Sequence, residues 1–384
     1  MPLDKKKSNP ALIALTTSAL ALPGINANAD APPDTTSVKY RYTSYIEDEA
    51  PKQSTVQGDV KRYEIQAHQI QLVQPVGERG ALTLDYLTES MSGASPWGIQ
   101  RGTDNAPELI MSGASIEDER QDITASLRIY DQESSIAFTG GHSSEDDYKA
   151  VYGGLDNELQ FNQKNTTVKL GMGFSLDTIE PTQQEGQDRV SDEQKNSASY
   201  YVGLAQTLSR NSIFQVTAGF TQLSGFLTDP YKLQDARPDV RKQTTITFGY
   251  MQFITTTKSA LHFDYRYYTD DWDVNSHTVD LAWHQNFGTG HLLTPSVRLY
   301  TQQEAKFYSL YFDENGDQEF FSNDYRLSAY DALSYKLKYT KYFEAWSLTL
   351  SGERYESQGD DSKQAENPGL VSFTRWTAGF DIKF

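Results

Sequence analysis

The feature that most constrains this chain is a two-residue alternation of apolar and polar side chains, repeated in segments of about ten residues. In one of them, Leu82, Leu84 and Tyr86 fall on one face. Successive side chains of a strand point to opposite faces, so each segment predicts a strand with one apolar face. Segments of this kind recur near residues 38–42, 82–86, 123–129, 168–176, 214–220, 246–250, 261–267, 279–283, 297–299, 333–339, 346–350 and 376–384.

The last of these segments ends the printed sequence on an aromatic residue, Phe384. A terminal strand that ends in Phe is typical of outer-membrane β-barrels, where the last strand closes against the first. An ordinary half-buried edge strand is the alternative interpretation. On the barrel interpretation, we expect this strand to engage the barrel-insertion machinery and its apolar face to contact outer-membrane lipid.

The N-terminus predicts a secretory signal peptide over residues 1–29. Basic Lys5–Lys7 precede an apolar stretch, Ala11–Leu22, and Ala27–Ala29 offers a cleavage site of small residues. The apolar stretch is too short to span a membrane as a helix, and no run of 18 apolar residues follows. We therefore predict an exported protein of the outer membrane whose residues 30–384 form a single barrel domain.

Composition narrows the functional classes further. The formal net charge of −18 argues against nucleic acid as a partner. The absence of cysteine excludes disulfides, thiolate metal sites and cysteine nucleophiles. The mean hydropathy of −0.62 resembles that of a soluble protein, but barrels hide their hydrophobicity in alternation. The 24 Tyr, 18 Phe and 5 Trp could supply interfacial aromatic girdles.

Short and long connections alternate along the chain, as in barrels with short periplasmic turns and long outer loops. This rule requires a descending strand over Tyr148–Phe161, and its Gly153–Gly154 pair suggests a β-bulge. The count becomes 16, and the predicted fold is an all-β, antiparallel, up-and-down transmembrane barrel. Tight turns are expected at 75–77, 131–133, 162–165, 209–211, 255–257, 288–290 and near 343, and long connections at 47–61, 91–118, 177–196, 224–241, 302–324 and 356–370, with a shorter one at 269–274.

If the apolar face points to lipid, the polar face lines the lumen. Its charged members come from many strands, and Asp264, Arg266, Asp280 and Arg298 are expected to form neighbouring pairs. The predicted lumen-lining residues are Arg128, Lys169, His262, Asp264, Arg266, Asp280, His284, Arg298, Lys336, Lys338 and Glu353.

The sequence predicts no catalytic, cofactor or metal site. His262 and His284 can share a lumen face, which favours polar lining over metal binding. His142 and Ser143 are adjacent on a strand and point to opposite faces, so the histidine is badly placed to activate the hydroxyl. Asp313–Asp317 resembles the start of a calcium loop with Asp324 at its twelfth position, but Gln318 stands where such loops need Gly.

Several strings in the chain resemble the domain-of-unknown-function family 3570 of exported bacterial proteins. The strings are Ser92–Pro96, Asp264–Tyr268 with Asp271 and Trp272, Ser276–Thr278, Arg298–Gln302 with Ala305 and Phe307–Tyr308, and Asp324–Ser328. The resemblance implies a barrel without an assigned activity. It also implies a weak association with flavin-carrying exported redox proteins.

Three functions remain open from the sequence. The first is a porin-like channel for small polar solutes or ions, favoured by the strand number and the charged inward face. The second is a barrel scaffold or sheath for a periplasmic, possibly redox, partner. The third, an outer-membrane enzyme, has the least support, and no enzymatic activity is predicted.

Overall fold

The computed structural model describes residues 31–112, 116–183, 189–312, 318–359 and 367–384. The predicted signal peptide, residues 1–29, lies outside the described residues. Nearly all regular structure in the described part of the chain is β-strand, with a short 3₁₀ helix at Tyr325–Leu327. None of the helices found there is long and apolar enough to cross a bilayer.

The described residues form nineteen strands. In chain order they are β1 (Ser37–Glu47), β2 (Thr55–Gln57), β3 (Glu64–Val76), β4 (Gly80–Gly93), β5 (Pro96–Arg101), β6 (Pro107–Met111), β7 (Ile116–Tyr130), β8 (Ser134–Ser144), β9 (Tyr148–Phe161), β10 (Thr166–Ile179), β11 (Glu193–Ser209), β12 (Ser212–Gly225), β13 (Val240–Ile254), β14 (Ser259–Asp270), β15 (Asn275–Phe287), β16 (His291–Gln302), β17 (Tyr330–Tyr342), β18 (Trp346–Gly359) and β19 (Phe373–Lys383).

Sixteen of these strands close into one antiparallel barrel, which confirms the predicted fold class and count. Each barrel strand pairs with the next barrel strand along the chain, and β19 returns to pair with β1. In that closing ladder Val38 lies opposite Ile382, and the backbone N–H of Phe384 donates to the carbonyl of Thr36 at 2.9 Å. The strand β9, which was predicted only because short and long connections must alternate, is therefore confirmed.

The predicted bulge at Gly153–Gly154 is wrong. The register of β9 runs without a break against both β8 and β10. Side-chain packing explains why residue 153 is a glycine. A Cβ atom at this position would lie 2.9 Å from the ring of Phe174 on the neighbouring strand. The described barrel ladders show a register shift between Thr207 and Ser209, beside a tight turn.

The outer face of the barrel is apolar, and its side chains remain exposed because no protein layer covers them. Leu170, Met172 and Phe174 alternate along β10 and are each about half exposed. Exposed aromatic rings collect at the short-turn ends of the strands, where Phe343 stacks on Trp346 with centroids 3.9 Å apart. An apolar belt with aromatic rings at its rim is the surface that a bilayer requires of a spanning barrel.

The long connections at the other end of the barrel fold on one another. Strands β2, β6 and β5 form a separate three-stranded sheet outside the barrel ladder. Its apolar side chains pack into a small core in which Leu109 and Met111 are fully buried. We call the described connections between β1 and β3, β4 and β7, β12 and β13, and β16 and β17 the cap; the buried members of its sheet core are Ala50, Ala94, Ile99, Leu109, Met111 and Tyr311.

Candidate functional site

The charged residues predicted from the sequence all lie on the face opposite the apolar belt. On β14, for example, Phe263 is exposed to the outside and Asp264 alternates with it. The same alternation holds on β10, where Lys169 alternates with exposed Leu170. The inward face is therefore the candidate functional site, and its strands divide into two chemically different walls.

One wall is charged and open to water. It is formed by β14 to β19, and we call it the exposed wall. Arg298 donates from Nε to Asp280 Oδ1 at 2.7 Å, and Asp264 lies opposite Asp280 in the ladder. The side chain of Arg298 is 56% exposed although it points inward. The inward charged residues of this wall include Asp264, Asp280, Arg298, Lys336, Glu353 and Arg375.

Glu353 lies on β18, in the part of the exposed wall away from β14, and contacts two cationic side chains. Arg375 Nη2 lies 2.5 Å from Glu353 Oε2, and Lys336 Nζ lies 3.8 Å from the same oxygen. Ser334 donates to the second oxygen of Glu353 at 2.9 Å. Both cationic side chains remain more than one third exposed. These charges therefore face water with part of their hydrogen-bonding capacity free for a solute.

The second wall is formed by β4 and β7 to β11, and we call it the paired wall. Lys169 contacts Glu158 at 3.1 Å and Lys195 contacts Asp177 at 3.1 Å, and all four side chains are at most 12% exposed. Tyrosine hydroxyls complete the carboxylate shells. The residues of this crosslinked wall are Glu89, Arg120, Asp122, Tyr148, Tyr152, Asp156, Glu158, Lys169, Asp177, Lys195 and Tyr201.

The remaining sequence-predicted residues lie apart from these clusters. His262 and His284 are neighbours with ring centroids 4.2 Å apart, near the short-turn end. Thr294 links His284 to Lys338, since its hydroxyl lies 3.2 Å from His284 Nδ1 and its position in the ladder is opposite Lys338. This row therefore places two imidazole rings and one lysine on the inward face near the short-turn end.

Arg128 and Arg266 complete the predicted set. Arg128 donates from Nη1 to Ser135 at 2.9 Å, within the paired wall. Arg266 lies on the inward face of β14, and its Nε has no hydrogen-bond acceptor among the described residues.

The residue pairs considered for catalysis have other partners. His142 Nδ1 lies 3.0 Å from the carbonyl of Ala150, whereas buried Ser143 accepts a hydrogen bond from Arg120. The calcium-like segment 313–317 lies outside the described residues. Its proposed last ligand, Asp324, instead binds arginine side chains in the cap.

The cap joins separate arcs of the barrel across its outer mouth. The β12–β13 connection reaches the β4–β7 connection, where Leu233 N–H donates to the carbonyl of Trp97 at 2.7 Å. The β16–β17 connection reaches the same element, where the Tyr311 hydroxyl donates to the carbonyl of Asn105 at 3.2 Å. Because these connections leave the barrel from different sides, their contacts hold a packed layer over the mouth.

A buried charge cluster locks the centre of this layer. Asp324 is fully buried and accepts from Arg237 at 2.9 Å and from Arg326 Nε at 2.8 Å. Arg326 also donates to Asp229 on the β12–β13 connection at 2.7 Å. Burial opposes the charged form of Asp324, but Arg326, Lys232 and Arg237 outweigh it and hold the pKa of this carboxyl well below its usual range. The cluster therefore stays ionised and ties two connections together.

The sequence pattern indicated which charged residues face inward, but it did not indicate which residues they pair with. Arg375 alternates with the apolar residues of β19, so its inward face was visible in the pattern, but its pairing with Glu353 depends on the ladder between β18 and β19. Asp177 falls in an acidic stretch that suggested a solvated loop, yet β10 extends through it and buries it against Lys195. The cap contacts join residues far apart in sequence and left no local signal.

Comparison with known proteins agrees with this fold. A family model described as a protein of unknown function (DUF3570) matches residues 12–375. No curated protein matches the chain.

Solved structures show the same architecture at low sequence identity. CdiB from Acinetobacter baumannii has a TM-score of 0.53 at 7% identity, covering 91% of this chain and 60% of its own. A bacterial polysaccharide outer membrane secretin has a TM-score of 0.50 at 9% identity, covering 91% and 99%. The siderophore receptor PirA from Pseudomonas aeruginosa has a TM-score of 0.46 at 9% identity, covering 91% and 62%.

The present chain thus spans about 60% of the length of the siderophore receptor and of CdiB. At these identities the likeness shows the fold alone. Together with the closed ladder and the apolar belt, it identifies an outer-membrane β-barrel.

Proposed function

The chain belongs to the DUF3570 family of proteins of unknown function, whose description assigns no activity, so we propose a function from the barrel itself. We propose that the protein is a porin-like channel for small polar solutes or ions. In this proposal the cap closes the outer mouth of the channel. The observation that carries this proposal is the exposed wall. Arg298 and Asp264 point into the barrel and are nevertheless exposed. A 16-stranded barrel is wide enough to hold water, and these charges face that water.

The asymmetry between the walls supports a defined path. The charges of the paired wall are buried and bound to one another, so they crosslink strands and contribute little to a passing solute. The exposed wall presents both acidic and basic side chains, among them Asp264, Asp280, Arg298, Lys336, Glu353 and Arg375. Rings of charged side chains select ions in pores, so this wall is where selectivity should reside.

The cap determines how such a channel must be tested. Its Asp324 cluster joins two connections over the mouth, so the proposed closure depends on this cluster. Purified protein in planar bilayers should show discrete conductance steps of short duration. Asp324→Asn removes the buried carboxylate that Arg237 and Arg326 share and leaves them Asp235 and Asp229 alone. Breaking one partner of a buried pair costs about 3–5 kcal/mol.

We therefore expect Asp324→Asn to raise the open probability at least tenfold. Glu319→Gln is the matched control, because Glu319 lies in the same connection but is exposed. Absence of steps from both the wild type and Asp324→Asn, in protein shown to be folded, would contradict the channel.

That negative outcome would favour a second function, a sealed scaffold for a periplasmic partner. The observation that favours it is the same packed cap, whose sheet core is fully buried at Leu109 and Met111. Purification of the native complex followed by absorption spectroscopy of bound flavin or haem tests this alternative. Recovery of the barrel alone would count against it.

A further inference from the structure

Three acidic side chains converge at the outer rim of the paired wall. Asp118 lies near the start of β7, and Glu145 and Asp147 lie in the three-residue connection between β8 and β9. One carboxylate oxygen from each lies within 4.8 Å of the others, and all three residues are buried. The cluster belongs neither to the exposed wall nor to the central charge cluster of the cap.

Several of these buried oxygens accept no hydrogen bond. Both carboxylate oxygens of Glu145 and Oδ1 of Asp147 are without a donor among the described residues. The Glu145 side chain is 0% exposed, so bulk solvent does not reach it. A buried carboxylate is costly unless it is paired, hydrogen-bonded or bound to a metal, so these oxygens indicate a missing cationic partner.

The nearest protein cation does not meet this need. Arg120 Nε lies 3.6 Å from Glu145 Oε1, beyond hydrogen-bond distance. The same guanidinium already contacts Glu89 at 3.0 Å and Asp122 at 3.7 Å. One cation therefore serves more carboxylates than it can neutralise.

The donor set indicates the kind of ion. All three residues offer carboxylate oxygens, which are ligands for calcium and for magnesium. Magnesium demands near-ideal octahedral geometry and usually keeps several waters, whereas calcium accepts about six to eight oxygen ligands in a flexible arrangement. A buried set of three protein carboxylates therefore suits calcium better than magnesium.

We propose that Asp118, Glu145 and Asp147 form a calcium-binding site at the outer rim of the barrel. Calcium supplies positive charge to the oxygens of Glu145 and to Asp147 Oδ1, which have no hydrogen-bond donor among the described residues. It also fixes a cap element, because Asp147 Oδ2 accepts a hydrogen bond from Tyr231 of the β12–β13 connection at 2.5 Å. The Tyr231 hydroxyl in turn accepts from the backbone N–H of Thr182 at 3.0 Å, so the site joins three outer connections.

Equilibrium dialysis of the full-length barrel in detergent with ⁴⁵Ca²⁺ tests the site directly. We expect one saturable ion per chain, with a dissociation constant in the range of about 10⁻⁴–10⁻³ M common to extracellular calcium modules. Glu145→Gln and Asp147→Asn should each weaken binding at least tenfold. The matched control is Asp146→Asn, which removes the same charge from the exposed residue between them and should bind as the wild type does.

Two results would overturn the proposal. One is the absence of saturable calcium binding to the wild type at concentrations about 10-fold above the expected range. The other is equal loss of binding in Asp146→Asn and Asp147→Asn, which would indicate a diffuse surface effect. Heat-dependent mobility on denaturing gels identifies variants that fail to fold.

A measurement on the wild type alone keeps the proposal testable if the variants do not fold. Calcium should protect the β12–β13 connection from limited proteolysis, because Tyr231 is tied to the site through Asp147. At equal ionic strength, calcium at saturating concentration should slow cleavage in that connection several-fold relative to magnesium. Equal cleavage rates in the two ions would overturn the coupling between site and cap. This readout is independent of conductance, so it can fail while the channel proposal stands.

Discussion

The role of a charged residue inside this barrel depends on its cross-strand partner and on how far its side chain is exposed to water. Lys169 and Arg298 each pair with one carboxylate at about 3 Å. The Lys169 side chain is 12% exposed and the Arg298 side chain 56% exposed. Coulombic attraction in a buried setting is much stronger than in water, so the first pair stabilises the wall. The second pair remains available to solutes.

Arg298→Gln is expected to shift ion selectivity. Removal of its positive charge leaves Asp280 and Asp264 unbalanced on the exposed wall, so the lumen should favour cations more strongly. In a potassium chloride gradient the reversal potential should move toward the potassium equilibrium value. Arg354→Gln is the matched control because Arg354, on the outer face of β18, pairs with Asp48 outside the lumen. An equal shift in both variants would contradict the assignment of the exposed wall.

The sequence predicted which face each of these residues occupies but not which partner it meets. Alternation fixes the face because the side-chain period of a strand is two. The partner depends on the register between strands, and register is set by turn geometry that the pattern does not contain. Arg298 and Asp280 pair as expected, whereas the pairing of Glu353 with Arg375 could not be predicted from either strand alone.

At the scale of elements, the barrel strands were predictable and the cap was not. Barrel strands carry a long alternating pattern, and only tight turns separate many of them. Strands β2, β5 and β6 are three to six residues long, and β5 and β6 each begin with proline. Their core forms between connections that are distant in sequence, as the contact of Tyr311 with the β4–β7 connection shows.

Acid should release the cap only at unusually low pH. The pKa of Asp324 is held well below its usual range by Arg326, Lys232 and Arg237. A depressed folded pKa stabilises above the unfolded value, about 3.9, and the stabilisation is lost as pH falls through the folded pKa. Near-ultraviolet circular dichroism should therefore keep its cap signal at pH 5 and lose it only below about pH 4.

The comparison for this titration is Asp324→Asn, which has no carboxylate to protonate. Its cap signal should already be reduced at neutral pH and should lack the acid transition of the wild type. The exposed-site control Glu319→Gln should follow the wild-type curve. Identical acid transitions in wild type and Asp324→Asn would show that another group controls the cap.

We expect the sheet core of the cap to unfold independently of the barrel. Met111 is fully buried in that core, and Met→Ala in a core costs about 2–5 kcal/mol. Met111→Ala should speed amide exchange of β5 and β6 without changing exchange in β17 and β18, measured by mass spectrometry. Ile70→Ala, on the half-exposed outer face of β3, is the control and should leave cap exchange unchanged. Simultaneous loss of protection in cap and barrel would contradict independent stability.

At the scale of the whole molecule, closure satisfies every backbone group that crosses the bilayer. Each of the 16 barrel strands has two neighbours, including β1 and β19, so no strand edge faces lipid. An even strand number also brings both ends of the barrel chain to one rim, where Thr36 and Phe384 are hydrogen-bonded. The short turns share that rim and the cap occupies the other. The molecule therefore has two chemically distinct ends that must face different compartments.

This asymmetry predicts an orientation with the cap outside the cell and the short turns in the periplasm. The sequence contains no cysteine, so an introduced one is a unique label. Glu319→Cys places it on the exposed surface of the cap, and Thr256→Cys places it in the exposed turn between β13 and β14. A membrane-impermeant maleimide added to intact cells should label the first and spare the second, while both should react after the outer membrane is permeabilised. Labelling of Thr256→Cys alone in intact cells would reverse the orientation and move the calcium site and the cap to the periplasmic end.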